Sequence, residues 1–154
     1  MDELARIKIS INTDTWDKQD LDSLLWEVLW EPLALPRHIR EFFKLENPSI
    51  EFVAKQGDKI IGGLVAYWIT PAEVELRHLA VHPSFQRMGI GKMLINQFRT
   101  TIKNVGGKRI RTNARNATVE FFKRCGFQVI SGKITESPQF SEYGITFQLM
   151  ELQV

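Results

Sequence analysis

The chain has 154 residues, 44% of them hydrophobic and 25% charged, with a formal net charge of +2. That length suits one domain, residues 1–154, with a proper core, and so small a net charge gives no footing for nucleic acid or an anionic membrane as a partner. A single cysteine, Cys125, excludes an intramolecular disulfide and suits a reducing compartment, and no second thiol stands at zinc spacing from His38, His78 or His82, so no metal site is expected. The start Met1-Asp2-Glu3-Leu4 is acidic and lacks the apolar run of a signal peptide, and no stretch approaches 18 apolar residues, so a cytoplasmic protein is expected.

In chain order, Ile7 to Ile11 alternates apolar and polar, the pattern of a half-buried strand. Asp14 or Thr15 offers an N-cap, and Leu21, Leu24, Leu25, Val28 and Leu29 follow at helical spacing up to Pro32. A second short helix is predicted after Pro36, through Ile39, Phe42 and Phe43. Ser49–Ala54 and Lys59–Trp68 read as a hairpin around Gln56-Gly57-Asp58, with Gly62-Gly63 marking a bulge or a close backbone approach. Glu73–Val81 is the next strand. A helix after it buries Leu94, Ile95, Phe98, Ile102 and Val105 and stops at Gly106-Gly107. Arg109–Asn113 is a strand, parallel to Glu73–Val81 because a crossover helix joins them. Asn116 caps a further helix that ends at Gly126, and Phe127–Ile130 is a strand. Residues 131–142 read as a loop and Ile145–Met150 as the last strand. Trp16, Trp26, Trp30 and Trp68 are expected mostly in the core. This order, β-α-α-β-β-β-α-β-α-β-β, predicts an α/β protein with a mixed sheet and helices on both faces.

The chemistry concentrates between Val81 and Leu94. A glycine-rich turn there joins a strand to a helix whose first N–H groups lack partners and suit an anion. A mononucleotide P-loop fails twice, because Gln86 stands where its first glycine belongs and Met93 where it needs Ser or Thr. A dinucleotide fingerprint fails at its third glycine, which is Leu94. The pattern Gln/Arg-x-x-Gly-x-Gly/Ala fits, as Gln86-Arg87-Met88-Gly89-Ile90-Gly91. A second signature follows: Asn113-Ala114-Arg115-Asn116-Ala117, then Phe121-Phe122, then Gly126-Phe127.

Together these two signatures, at their separation, resemble those of the GCN5-related N-acetyltransferases, which bind acetyl-coenzyme A. The resemblance extends over essentially the whole chain and implies the acyl-CoA N-acyltransferase fold, its sheet splayed between the fourth and fifth strands. Some small bacterial members also share the segments here read as Val28–Pro36 and Phe140–Met150. In family terms, the backbone of Gln86, Arg87, Met88, Gly89, Ile90 and Gly91 would hold the pyrophosphate, with Arg87 and Lys92 adding charge. The backbone of Leu79, Ala80 and Val81 would pair with the pantetheine arm, beside Asn113, Asn116 and Phe122. The expected reaction is acetyl transfer from acetyl-CoA, as co-substrate, to a primary amine of a small molecule or protein.

The amine must lose a proton and the leaving thiolate must gain one. Glu75, four residues before Leu79, stands where some members carry a glutamate base; an ordinary glutamate, with a pKa of about 4.3, needs burial or a relaying water for that work. His78 and His82 are the alternatives. The acid is where the sequence departs from the family, since Phe122 occupies the usual tyrosine position and Phe147 a place where related members often carry histidine. Either water then protonates the thiolate or another group supplies the proton, Tyr143 being one candidate. Those losses keep open a second reading, an acyl-CoA-binding sensor with little turnover, and a third, a structural interaction protein. Trp26, Trp30, Glu31 and Glu142 are candidates for the acceptor site, and Lys103, Lys108, Arg109, Arg111 and Arg115 for a basic face that is either solvated or in partial contact with the coenzyme's adenosine phosphates. Monomer and homodimer both stay open, the final strands being the surface through which such subunits often pair.

Overall fold

The computed structural model describes residues 6–154. Seven strands form one sheet in the order β1-β2-β3-β4-β5-β7-β6. They are β1 (Ile7–Ile11), β2 (Ser49–Gln56), β3 (Lys59–Thr70), β4 (Glu73–Val81), β5 (Arg109–Arg115), β6 (Gln128–Thr135) and β7 (Phe147–Gln153). The helices are α1 (Thr15–Leu25), α2 (Ile90–Asn104), α3 (Val119–Arg124) and a short α4 (Pro138–Ser141). Among the described residues, only β4 and β5 pair in parallel, as the crossover through α2 requires; every other neighbour pair is antiparallel.

The sheet has a layer on each face. On one side α2 buries Leu94, Ile95, Phe98 and Ile102, and α3 adds Phe122. On the other lie α1, a 3-10 turn at Ile39–Phe43 and α4, which bury Leu21, Leu25, Trp30, Ile39 and Phe140. The paired glycines of β3 let both layers come close. A Cβ on Gly62 would meet Ile90 and Leu94 of the α2 layer at 3.3 Å, and one on Gly63 would overlap Cδ1 of Leu21 in α1. Asp14 caps α1 by accepting from the N–H groups of Trp16 and Asp17.

After Leu25 the helix loosens into a π turn, Trp26–Trp30, and tightens into a 3-10 turn, Glu31–Leu33, as Pro32 enters. A buried polar network ties this layer to the sheet. Glu51 accepts from Asn12 at 3.1 Å and Arg40 at 2.9 Å, and Arg40 reaches Asp22 at 3.2 Å. Removing one partner from such a buried set costs about 3–5 kcal/mol, because it strands the other charge. No described helix is long and apolar enough to cross a membrane.

Four expectations need correction. Val105 is 62% exposed, because α2 ends a residue earlier and Gly106 turns the chain away at φ +94°. Trp16, on the first turn of α1, is 75% exposed rather than core. Residues 131–142 are not one loop: β6 runs on to Thr135, paired with Phe147, and α4 follows. Asn116 does not cap a helix; it opens a 3-10 turn, Asn116–Thr118, and its side chain donates to the Gly144 carbonyl and accepts from the Thr146 N–H.

Candidate active site

The site begins where the parallel pairing stops. β4 and β5 are in register only from Glu73↔Arg109 to Leu76↔Thr112. The Thr112 hydroxyl donates to the Leu76 carbonyl at 2.9 Å and closes the last rung. Beyond it β4 stays with β3 up to Val81↔Gly62, and β5 stays with β7 up to Arg115↔Phe147. Leu76 and His78 face adjacent residues of β3, so Arg77 is an extra residue, a bulge that re-aims the strand at the point of divergence.

Which backbone groups face the gap follows from one hydrogen bond. The His82 N–H donates to the Ile61 carbonyl at 2.7 Å, so His82 turns toward β3. By strand alternation Ala80 also turns toward β3, opposite Gly63, while Leu79 and Val81 present N–H and C=O to the gap. The Gln86 side chain confirms the direction, donating to the Val81 carbonyl at 3.0 Å. Of the three residues expected to offer backbone there, Leu79 and Val81 are placed for it and Ala80 is held in the ladder.

The loop Gln86–Gly89 then delivers the start of α2 to the mouth of the gap. Gly89 holds the N-cap position at φ +84°, and no side chain caps the helix. The first intrahelical bond runs from the Met93 N–H to the Gly89 carbonyl at 3.0 Å, so the N–H groups of Ile90, Gly91 and Lys92 have no acceptor within the helix. Arg87 also adopts a positive φ, +65°, which for a residue with a Cβ costs about 1 kcal/mol. Gly91 serves packing: a Cβ there would come 3.1 Å from Phe121 Cζ. Lys92 is exposed, the Ile90 side chain is core, and half-buried Met88 packs against the α2-side core.

A cavity of about 340 Å³ fills the gap and continues to the α1 face. Leu76, Leu79, Thr112, Ala114, Phe121 and Phe122 line its gap end; Trp30, Phe43, His78, Arg115, Phe140 and Phe147 line its far end. Glu75 is in the wall at 7% exposure, and its Oε2 accepts from Arg77 at 3.1 Å. Arg77 also donates to the Phe43 carbonyl at 3.0 Å, which fixes the pair against the α1 layer. Glu73, two residues earlier, is a structural carboxylate: Arg109 and Arg111 both engage it, so those cations are not a free basic face.

His78 stands edge-on to Trp30, with ring centres 5.0 Å apart, and 6.1 Å from Phe43. Burial, then the charges of Arg40, Arg77 and Arg115, push its pKa down to about 3. It is therefore neutral near pH 7 and holds a proton too loosely to serve as the base. His82 lies outside the cavity wall, its Nδ1 accepting from the Ser84 N–H.

Of the remaining expected residues, Asn113 and Phe122 are in the cavity wall. Phe122 is only 6% exposed and packs edge-on against Phe121 and Phe127. Asn116 is outside the wall, occupied with the Gly144–Thr146 turn. Tyr143 is 43% exposed and outside the wall as well. Glu31 and Glu142 are exposed and line nothing, and half-buried Trp26 spends its indole N–H on the Leu35 carbonyl at 3.0 Å. Sequence reasoning missed Phe43, Arg115 and Phe140 as wall residues, since each is local to a different element. Among the described residues, no three His, Cys, Asp or Glu side chains are grouped to hold a metal.

A model of the GNAT acetyltransferase family matches residues 11–127, which span both the splayed strands and the α2 loop. An uncharacterised N-acetyltransferase of Bacillus subtilis, YvbK, is 28% identical over 81 residues, 51% of this chain and 52% of that protein. The matched segment thus spans about half the length of that curated relative. A GNAT family acetyltransferase from Elizabethkingia anophelis, solved with acetyl-CoA bound, superposes with a TM-score of 0.71 at 19% identity, over 97% of this chain and 99% of that one. The ribosomal-protein-S18-alanine N-acetyltransferase of Escherichia coli gives 0.76 at 18% identity, over 96% and 94%. With the family pattern covering most of the chain and the fold matching end to end, this chain belongs to the GNAT acetyltransferase family.

Proposed function

We propose that the protein transfers the acetyl group of acetyl-CoA to a primary amine. The observation that carries this reading is the uncapped start of α2 at the mouth of a gap along which β4 has no partner strand. Three free N–H groups and the helix dipole suit a pyrophosphate. Leu79 and Val81 offer the alternating donors and acceptors that an amide-bearing arm can pair with, as a strand would. The arm would then bring its thioester to the cavity between Leu79 and Phe122.

Glu75 is the group suited to take the proton. It is buried in the wall, with Arg77 on Oε2 and Oε1 left for the amine or an intervening water. The amine nitrogen forms a bond to the carbonyl carbon, the carbon–sulfur bond breaks, the amine proton leaves through Glu75, and the thiolate takes a proton from water. Titration calorimetry with acetyl-CoA tests the first half, and micromolar binding is expected. Release of free thiol over a panel of amines tests the second.

A second reading has one observation in its favour. Phe122 puts a ring without a hydroxyl in the wall, and Tyr143 stands outside it, so the described wall offers no phenol to the leaving sulfur. An acyl-CoA sensor would bind the coenzyme equally well, yet none of the amines would make it release thiol.

A further inference from the structure

The ionised groups of the cavity wall are unequally matched. Glu75 and Arg77 engage each other. Arg40, whose charge also reaches His78, divides itself between Asp22 and Glu51. Arg115 has no carboxylate within ion-pair distance among the described residues. It donates to the Leu29 carbonyl at 3.0 Å and lies over the Phe140 ring at 5.4 Å. Burial pushes its pKa below the ordinary value, as expected for a desolvated cation without a counter-charge.

The coenzyme's phosphates do not account for this arginine. Their proposed cradle is at the start of α2, whereas Arg115 reaches for a carbonyl and a ring of the α1 layer, on the other face of the sheet. A guanidinium has five N–H donors in a planar fork that matches a carboxylate two-for-two. Around it the wall is apolar and aromatic: Trp30, Phe43, Phe140 and Phe147. With His78 neutral, this wall carries two cations, Arg77 and Arg115, against one carboxylate, Glu75. That field repels a polycation. A cavity of about 340 Å³ is also near the small end for ligand sites.

We infer that the acceptor is a compact primary amine that also bears a carboxylate, an apolar α-amino acid being its simplest form, with Arg115 holding the carboxylate and the four rings enclosing the apolar part. This deepens the acetyl-transfer reading and rests on it. The carboxylate takes no part in the bond changes: the products are the N-acetyl amino acid and free coenzyme A thiol, with one amine proton passed to solvent through Glu75 and one taken up by the thiolate.

The test pairs each amino acid with the amine that lacks its carboxylate. Thiol release from acetyl-CoA is followed with phenylalanine against phenethylamine, leucine against isoamylamine, and spermidine as the polycation. The carboxylated partner is expected to have a kcat/KM at least about tenfold higher, the scale of one charged hydrogen-bond pair. Arg115→Gln should bring that ratio toward one, chiefly through KM, and Arg115→Lys should retain part of it. A preference for the decarboxylated amines or for spermidine, equal use of both partners, or no release with any member overturns the inference. The wild-type ratio alone decides even if the variants fail to fold. Coenzyme titration is run beside it: binding without carboxylate preference sinks only this inference, whereas no binding sinks the acetyl-transfer reading first.

Discussion

The two ends of the cavity are built by different means. The end proposed for the coenzyme, with the loop at its mouth, offers backbone: the N–H groups of Ile90, Gly91 and Lys92, which have no acceptor within the helix, and the gap-facing groups of Leu79 and Val81. All of it lies within one stretch of β4, loop and α2. The far end, proposed for the acceptor, is made of side chains brought from six places, the Trp26–Trp30 turn, the Ile39–Phe43 turn, β4, β5, α4 and β7. A backbone site tolerates any side chain except where a turn demands glycine. A side-chain site is respecified by each substitution. On the proposed function, the contrast lets one fold keep its coenzyme while changing its acceptor.

The largest effect that would sharpen this division is expected at Glu75. Glu75→Gln should lower kcat by about 10²–10⁴, the usual contribution of a general base, while the affinity for acetyl-CoA stays within twofold. A kcat that falls less than about tenfold would remove Glu75 from the chemistry. Next is Gly89→Val, which forces a β-branched residue to φ +84° at the start of α2. Strain of about 1–2 kcal/mol should appear as a roughly tenfold loss of coenzyme affinity in calorimetry. The preference among acceptors should be unchanged, and a shifted preference would break the division.

A smaller effect is expected from His78. Its pKa is about 3 in the folded protein against 6.5 ordinarily, so between those values the unfolded chain binds the extra proton. Its contribution to stability is therefore fully present above pH 6.5 and is lost as pH falls toward 3, at up to about 1.4 kcal/mol per pH unit. Against His78→Phe, which has nothing to titrate, wild type should lose stability faster in urea melts at pH 7, 6 and 5. Parallel losses in the two proteins would show that His78 is not held neutral by its surroundings.

The same division governs what could be read from the sequence. Glu73–Val81 and the glycine loop were legible because their signals are local: a strand pattern, a proline stop, two glycines at fixed spacing. The splay was legible only through the family resemblance. Arg115 was misread as part of a solvated basic face, because its surroundings are set by Leu29, 86 residues away, and by Phe140. Asn116 carries a good capping residue type, yet a turn 28–30 residues on captures its side chain. Trp16 misled in the opposite way: its size argued for burial, but its place on the first turn of α1 sets it in solvent.

The short parallel pairing of β4 and β5 has a consequence for hydrogen exchange. An ordinary sheet leaves its unprotected amides along its outer strands, whereas this one also leaves them at its centre. The amides of Leu79 and Val81, flanked by fully buried residues of β3, should exchange with deuterium far faster than the neighbouring Ala80 amide. A bound pantetheine arm would slow those two among the strand amides, and so be recorded as a missing strand supplied from outside the chain.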